Sequence, residues 1–90
     1  MKKRGLPVYT ISVAARLCEL PIHTIRWLEA HEFIQPTRTQ GNQRLFRDED
    51  IELLQEIAAL LERRVNLAGI RTILHIKRTY RITRIHIKEE

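Results

Sequence analysis

The residues of this chain best suited to chemistry are arginines. Arg26 stands beside Trp27, the single tryptophan, in "TIRWLE", and the span 33–47 carries Arg38, Arg44 and Arg47 as its only charged side chains. A guanidinium is a planar fork of donors that can take two acceptors at once, on a phosphate or on the O6 and N7 atoms of guanine. An indole beside it offers a flat apolar surface for a sugar-phosphate backbone. This is recognition chemistry, with no bond made or broken. The alternative for Arg26 is an ion pair with Glu29 on a solvated surface. For Trp27 it is a place in the core, although Leu28 already takes the inward direction and leaves the indole exposed in part.

Other chemistries find little support. His23, His31, His75 and His86 are scattered, and one cysteine, Cys18, cannot complete a thiolate set with them, so no structural zinc spacing exists. Cys18 reads as a small buried apolar residue. No Ser-His-Asp set, phosphate loop or carboxylate pair stands in a catalytic context, so neither an enzyme nor a cofactor or metal site is expected.

The elements that would carry these arginines follow from the hydrophobic spacing. "YTISVAARLCEL" offers Thr10 and Ser12 as helix caps, then Ile11, Ala14, Ala15, Leu17 and Cys18 close to one side of a helix. After Leu20-Pro21, a second short helix over His23–His31 faces Ile25 and Leu28 toward the first and turns Arg26 elsewhere. Two short helices with a tight connection form a helix-turn-helix candidate. Pro36 and Gly41-Asn42 interrupt helix between the pairs Phe33-Ile34 and Leu45-Phe46, which predicts a two-stranded ribbon, a wing, with its loop around residues 37–43. Residues 48–62 place Ile51, Leu54, Ile57, Ala58 and Leu61 on one stripe, with acids in the first turn and Arg63-Arg64 at the end, both favourable to the helix dipole. Asn66 is set to cap a fourth helix carrying Leu67, Ile70, Ile73 and Leu74. The remaining "IKRTYRITRIHIKEE" fits a heptad-like stripe, yet its density of Ile and Thr favours a strand or irregular tail.

Ninety residues give one small domain. No apolar run is long enough to span a bilayer, the basic start "MKKRG" lacks the apolar segment of a signal peptide, and the lone cysteine fits a reducing compartment, so the chain is expected to be cytoplasmic without a membrane partner. A net charge of +5 favours a polyanionic partner. Its distribution is bipolar: residues 48–62 hold six acids and no Lys or Arg, whereas 63–88 hold eight bases and no acid. Lys2, Lys3 and Arg4 offer a basic arm or a disordered start.

Taken in order, "TIRWLE", "FIQP", "QRLFRDEDIELLQEI" and "VNLAGIRTIL" resemble the DNA-binding domain of MerR-family transcription regulators over residues 8–76, whose patterns include T-L-R-Y-Y-E and Y-R-x-Y-x-x-x-D-[LI]. The "NLAGI" segment is most similar to the HspR heat-shock repressor branch and its glutamine-synthetase-repressor relatives. The resemblance implies that Thr24, Arg26 and Trp27 lie on a recognition helix, Arg26 reaching a base edge or phosphate and Trp27 the backbone. It implies that Arg44 grips phosphate from the wing, and that Glu29, Pro36, Phe46 and Asp50 are structural. Gln43 replaces a usual wing Tyr, and Leu28 a second Tyr. Glu32 stands where Gly is common, which predicts a different turn. Arg47 replaces a capping Ser, with Asp48 expected to cap one residue later.

The expected protein is mainly α, a MerR-like winged helix-turn-helix with four short helices and a two-stranded wing. Residues 1–76 form the DNA-binding domain, and 77–90 a short C-terminal segment serving as dimerisation strand or tail. Thr24, Arg26, Trp27, Arg38, Arg44 and Arg47 are the expected contacts to double-stranded DNA. With about fifteen residues after the fourth helix, no sensor is expected, which favours repression by operator occupancy. Two-fold operators would require a homodimer, and the heat-shock-repressor likeness implies a chaperone co-repressor. The competing readings are a chaperone-modulator-like adaptor that binds a J-protein and an excisionase-like architectural DNA binder.

Overall fold

The computed structural model describes the backbone of residues 5–89 and the side chains of residues 5–80; the expected basic arm at Lys2, Lys3 and Arg4 lies outside the described residues. The chain divides into two compact units, Met1–Ala59 and Leu60–Glu90.

The first unit begins with β1 (Tyr9–Thr10) and runs directly into α1 (Ile11–Cys18). Of the two candidate caps, Thr10 is the one used: its hydroxyl accepts the Val13 amide at 3.3 Å, while Ser12 stays exposed. Glu19 ends α1 in the left-handed region, φ 54°, and the Leu20 amide returns to the Ala15 carbonyl at 3.0 Å. Pro21 then opens α2 (Ile22–Ala30), its fixed φ suiting the position before a helix. Past α2, Glu32 also adopts a left-handed φ of 64°. The turn expected to differ is therefore kept, at about 1 kcal/mol for a residue with a Cβ. It returns the Phe33 amide to the Leu28 carbonyl at 2.9 Å and turns Phe33 and Ile34 into the core.

The wing is an antiparallel pair, β2 (Thr37–Arg38) and β3 (Arg44–Phe46), with Arg38 opposite Arg44. Its first strand falls inside the span expected to be loop, so the turn is shorter than predicted. Asn42 takes the left-handed conformation, φ 65°, and Gly41 does not. The wing is not alone. β1 pairs with β3 on the other side, Tyr9 opposite Phe46, giving the order β1-β3-β2. A two-residue strand leaves no alternation to detect, which is why periodicity misses β1.

α3 (Asp48–Glu62) starts in this unit. Its capping position is Arg47, not Asp48 as expected. The Ile51 amide bonds the Arg47 carbonyl at 3.0 Å, and Asp50 reaches back to accept the Arg47 amide at 2.9 Å, the return arm of a capping box. Asp48 is engaged elsewhere, accepting the Tyr9 hydroxyl at 2.6 Å. The core joins Ala14 and Cys18 of α1, Ile25 and Leu28 of α2, Phe33, Ile34 and Phe46, and Ile51, Leu54 and Ile57 of α3. Each fully buried Ile, Leu or Phe side chain among them contributes about 1.5–3 kcal/mol of transfer free energy.

In the second unit, Arg64 turns the chain at φ 65° with the Val65 amide on the Leu60 carbonyl at 3.1 Å. Asn66 caps as expected, its side-chain oxygen accepting the Gly69 amide at 2.8 Å. A Cβ at Gly69 would stand 2.9 Å from Val65 Cγ1, so glycine fits that first turn closely. α4 (Leu67–Glu89) follows, 23 residues long. Residues 77–89 continue this helix, in place of the short fourth helix and the strand or irregular tail expected after residue 76. The Ile/Thr density carries only a weak strand preference, which requires a neighbouring strand to be realised. Extending an already nucleated helix adds one hydrogen bond per residue fixed.

Candidate nucleic-acid interface

α2 is oriented by its two core residues. Ile25 and Leu28 are fully buried, so the helix turns Arg26 and Trp27 outward. Arg26 is exposed and has no hydrogen bond or ion pair among the described residues. Trp27 is 43% exposed and packs against His31 one turn on, ring centroids 4.7 Å apart at 52°; His31 Nδ1 lies 2.9 Å from the Trp27 carbonyl. Thr24 is half-buried, and two residues of helix separate it from Arg26 by about 200°, so it does not share that residue's face.

The wing brings two more arginines to α2, and the junction is Glu29. Arg38 Nη2 donates to Glu29 Oε2 at 3.1 Å, and Arg44 Nε donates to Glu29 Oε1. Arg38 Nη1 also donates to the Asn42 carbonyl at 3.0 Å and to the Asn42 side-chain oxygen at 3.3 Å. The wing tip is closed by Thr39, whose amide bonds the Gln43 carbonyl at 2.9 Å and whose hydroxyl accepts the Gln43 amide at 3.1 Å. Partial burial would raise the Glu29 carboxyl, but the hydrogen bonds and charges of Arg44 and Arg38 outweigh it and hold its pKa below the usual glutamate value. Two cations on one anion leave the junction net positive.

The six expected contact residues are thus not one cluster. Arg26 lies one turn before Glu29 on α2, where side chains three apart are neighbours, so it adjoins the residue that holds Arg38 and Arg44. Trp27 lies further round the exposed face, and Thr24 on the other side. Arg47 sits at the start of α3 with its Nε on the Gly5 carbonyl at 2.7 Å. The alternative ion pair between Arg26 and Glu29 does not form. The residue that organises the site, Glu29, was expected only to be structural. Its signal, an acid at i+3 from Arg26 ahead of two hairpin arginines, depends on a long-range contact that spacing does not reveal. The Trp27–His31 pair, by contrast, is legible as an i, i+4 aromatic spacing.

Cys18 is buried, its thiol pKa raised by desolvation, with Sγ 3.7 Å from the Ile51 carbonyl. Among the described residues no group of three or more His, Cys, Asp or Glu is placed to hold a metal ion. No described helix is long and apolar enough to cross a membrane.

Two short helices, the second with an outward arginine and indole, followed by a hairpin fastened to that helix, define a winged helix-turn-helix protein. The chain belongs to the MerR HTH family of regulatory proteins, whose sequence pattern matches residues 9–76. It is 38% identical over 88 residues to the HTH-type transcriptional regulator GlnR of Bacillus anthracis, covering 98% of this chain and 67% of that protein. It is 40% identical over 72 residues to the putative heat shock protein HspR of Streptomyces coelicolor, covering 79% of this chain and 48% of that one. Its fold is similar to that of HiNmlR, a MerR family regulator lacking the sensor domain, in a crystal structure bound to promoter DNA. That match has a TM-score of 0.70 at 21% identity and covers 77% of this chain and 53% of the other. The chain spans about two thirds of GlnR and about half of HspR and HiNmlR.

Proposed function

We propose that this chain binds double-stranded DNA sequence-specifically and represses transcription by occupying its operator. The observation that carries the reading is Arg26: an exposed cation with no ion-pair partner among the described residues, on the outward face of α2 and one turn from Glu29, whose carboxylate is taken by two wing arginines. With α2 in the major groove, Arg26 takes guanine O6 and N7, and Trp27 packs on the sugar-phosphate backbone. The free Nη groups of Arg44 and the exposed edge of Arg38 meet flanking phosphates, which supply affinity through counterion release. Arg47, fastened to Gly5, is the weakest of the expected contacts and would need only its Nη atoms to reach phosphate. Family membership and the promoter-bound state of HiNmlR support the assignment.

Selection of bound duplexes from a random pool tests it. A preferred motif is expected, and Arg26→Ala should weaken binding to the selected duplex by about 1–3 kcal/mol and relax preference at one position. Unchanged affinity and preference would refute the recognition role. Transcription in vitro from a promoter carrying the selected motif should fall when the protein is added; a rise refutes repression.

A further inference from the structure

We infer that Glu29 is a positioning residue that divides the cations of this surface, holding Arg38 and Arg44 in the wing while leaving Arg26 unpaired for the bases. The inference rests on the duplex-DNA reading above. Glu29 lies three residues after Arg26, a spacing at which oppositely charged helical neighbours pair readily. Here each carboxylate oxygen is instead turned to a different wing strand, Oε2 to Arg38 of β2 and Oε1 to Arg44 of β3. Arg38 is held at three points, by Glu29 and by the Asn42 carbonyl and side chain, so its guanidinium plane is set before any ligand arrives. Ion pairs with side chains 21–37% exposed contribute little to stability. Their consequence lies in the placement of charge.

That placement has two effects. One of the two wing charges is neutralised, which trims attraction to any duplex whatever its sequence. The acid best placed to quench Arg26 is drawn away, so the side chain that reads bases keeps its full charge. Sequence-independent binding falls while sequence-dependent binding is preserved, and the ratio between them rises.

Glu29→Gln tests this against two probes, the duplex recovered by selection and a scrambled duplex of equal length, each titrated over a salt series. The variant should bind the scrambled duplex tighter by a factor of roughly three to ten, and the slope of log K against log salt should steepen by about 0.9 for the one charge released. The selected-to-scrambled ratio should fall, with a melting temperature within about 5 °C of wild type. Both the slope and the ratio must move; either one unchanged in the folded variant overturns the inference. Should Glu29→Gln not fold, Arg38→Gln carries the test. It frees one Glu29 oxygen to pair with Arg26, so the ratio should fall, whereas uniform weakening at a constant ratio would make Arg38 a simple phosphate contact and overturn the inference. A wild-type protein with no preference for any selected duplex refutes the DNA reading itself. A clear wild-type preference that Glu29→Gln leaves intact refutes only the role of Glu29.

Discussion

α2 and α3 solve the same packing problem and present opposite faces to solvent. Each buries apolar residues three apart, Ile25 and Leu28 in one, Ile51, Leu54 and Ile57 in the other. α3 carries three acids in its first turn and has its leading amide satisfied by Asp50. α2 has neither an acid in its first turn nor a side-chain cap, and it exposes Arg26 and Trp27. The inward residues decide where each helix lies. The outward ones decide what it can meet, and six acids without a base make α3 a poor neighbour for phosphate. The two helices thus separate an outward face with an arginine unpaired among the described residues from one that is uniformly acidic.

The largest expected effect tests the half of that comparison in which the helices agree. Leu28→Ala and Leu54→Ala, both at fully buried positions, should each destabilise the fold by about 2–5 kcal/mol in urea unfolding. If one costs less than about 1 kcal/mol, the two inward faces are not equivalent. A smaller effect sharpens the contrast at the helix starts. Asp50→Ala removes the acceptor of the Arg47 amide and should cost about 0.5–2 kcal/mol, with the ratio of selected to scrambled duplex binding unchanged. A changed ratio would draw α3 into recognition.

The smallest effect lies in pH. The Glu29 carboxyl is held below its usual pKa of 4.5, burial being outweighed by Arg44 and Arg38. The Asp50 carboxyl is raised above 3.8 by burial, against the Arg47 amide and charge. The stability that Glu29 contributes is therefore full above its unfolded pKa and is lost as pH falls through the lower folded value. Asp50 works in the opposite sense: its folded form holds the proton more tightly, so its contribution is full below the unfolded pKa and is lost as pH rises through the folded one. In melting curves between pH 7 and 3, Glu29→Gln should lose less stability on acidification than wild type, and Asp50→Asn more. Parallel curves for all three proteins would contradict the opposed shifts.

The same contrast marks what was legible beforehand. Apolar spacing located α1, α2 and α3 because burial is periodic along a helix, and the outward turn of Trp27 followed from Leu28 pointing in. Thr10 and Asn66 announced their helices because a cap is a local hydrogen bond. Contacts distant in sequence were not readable. Asp48 was expected to cap because nothing local indicates that Tyr9, 39 residues earlier, claims its carboxylate. Glu29 is expected only to be structural or to pair with Arg26 for the same reason, its actual partners lying 9 and 15 residues away in a hairpin. The C-terminal segment misled differently: its β-branched residues suggested a strand, but α4 had already started at Asn66 and had only to continue.

The exits of the first three helices share one trait. Glu19, Glu32 and Arg64 each bend the backbone into left-handed space without the freedom of glycine. Every corner is therefore mildly uncomfortable when folded, yet the disordered chain has fewer shapes to surrender there than glycine would give it. Replacing these corners with glycine would relieve the bends and loosen the coil together, so the joints of this small protein are stiff by composition before any packing holds them.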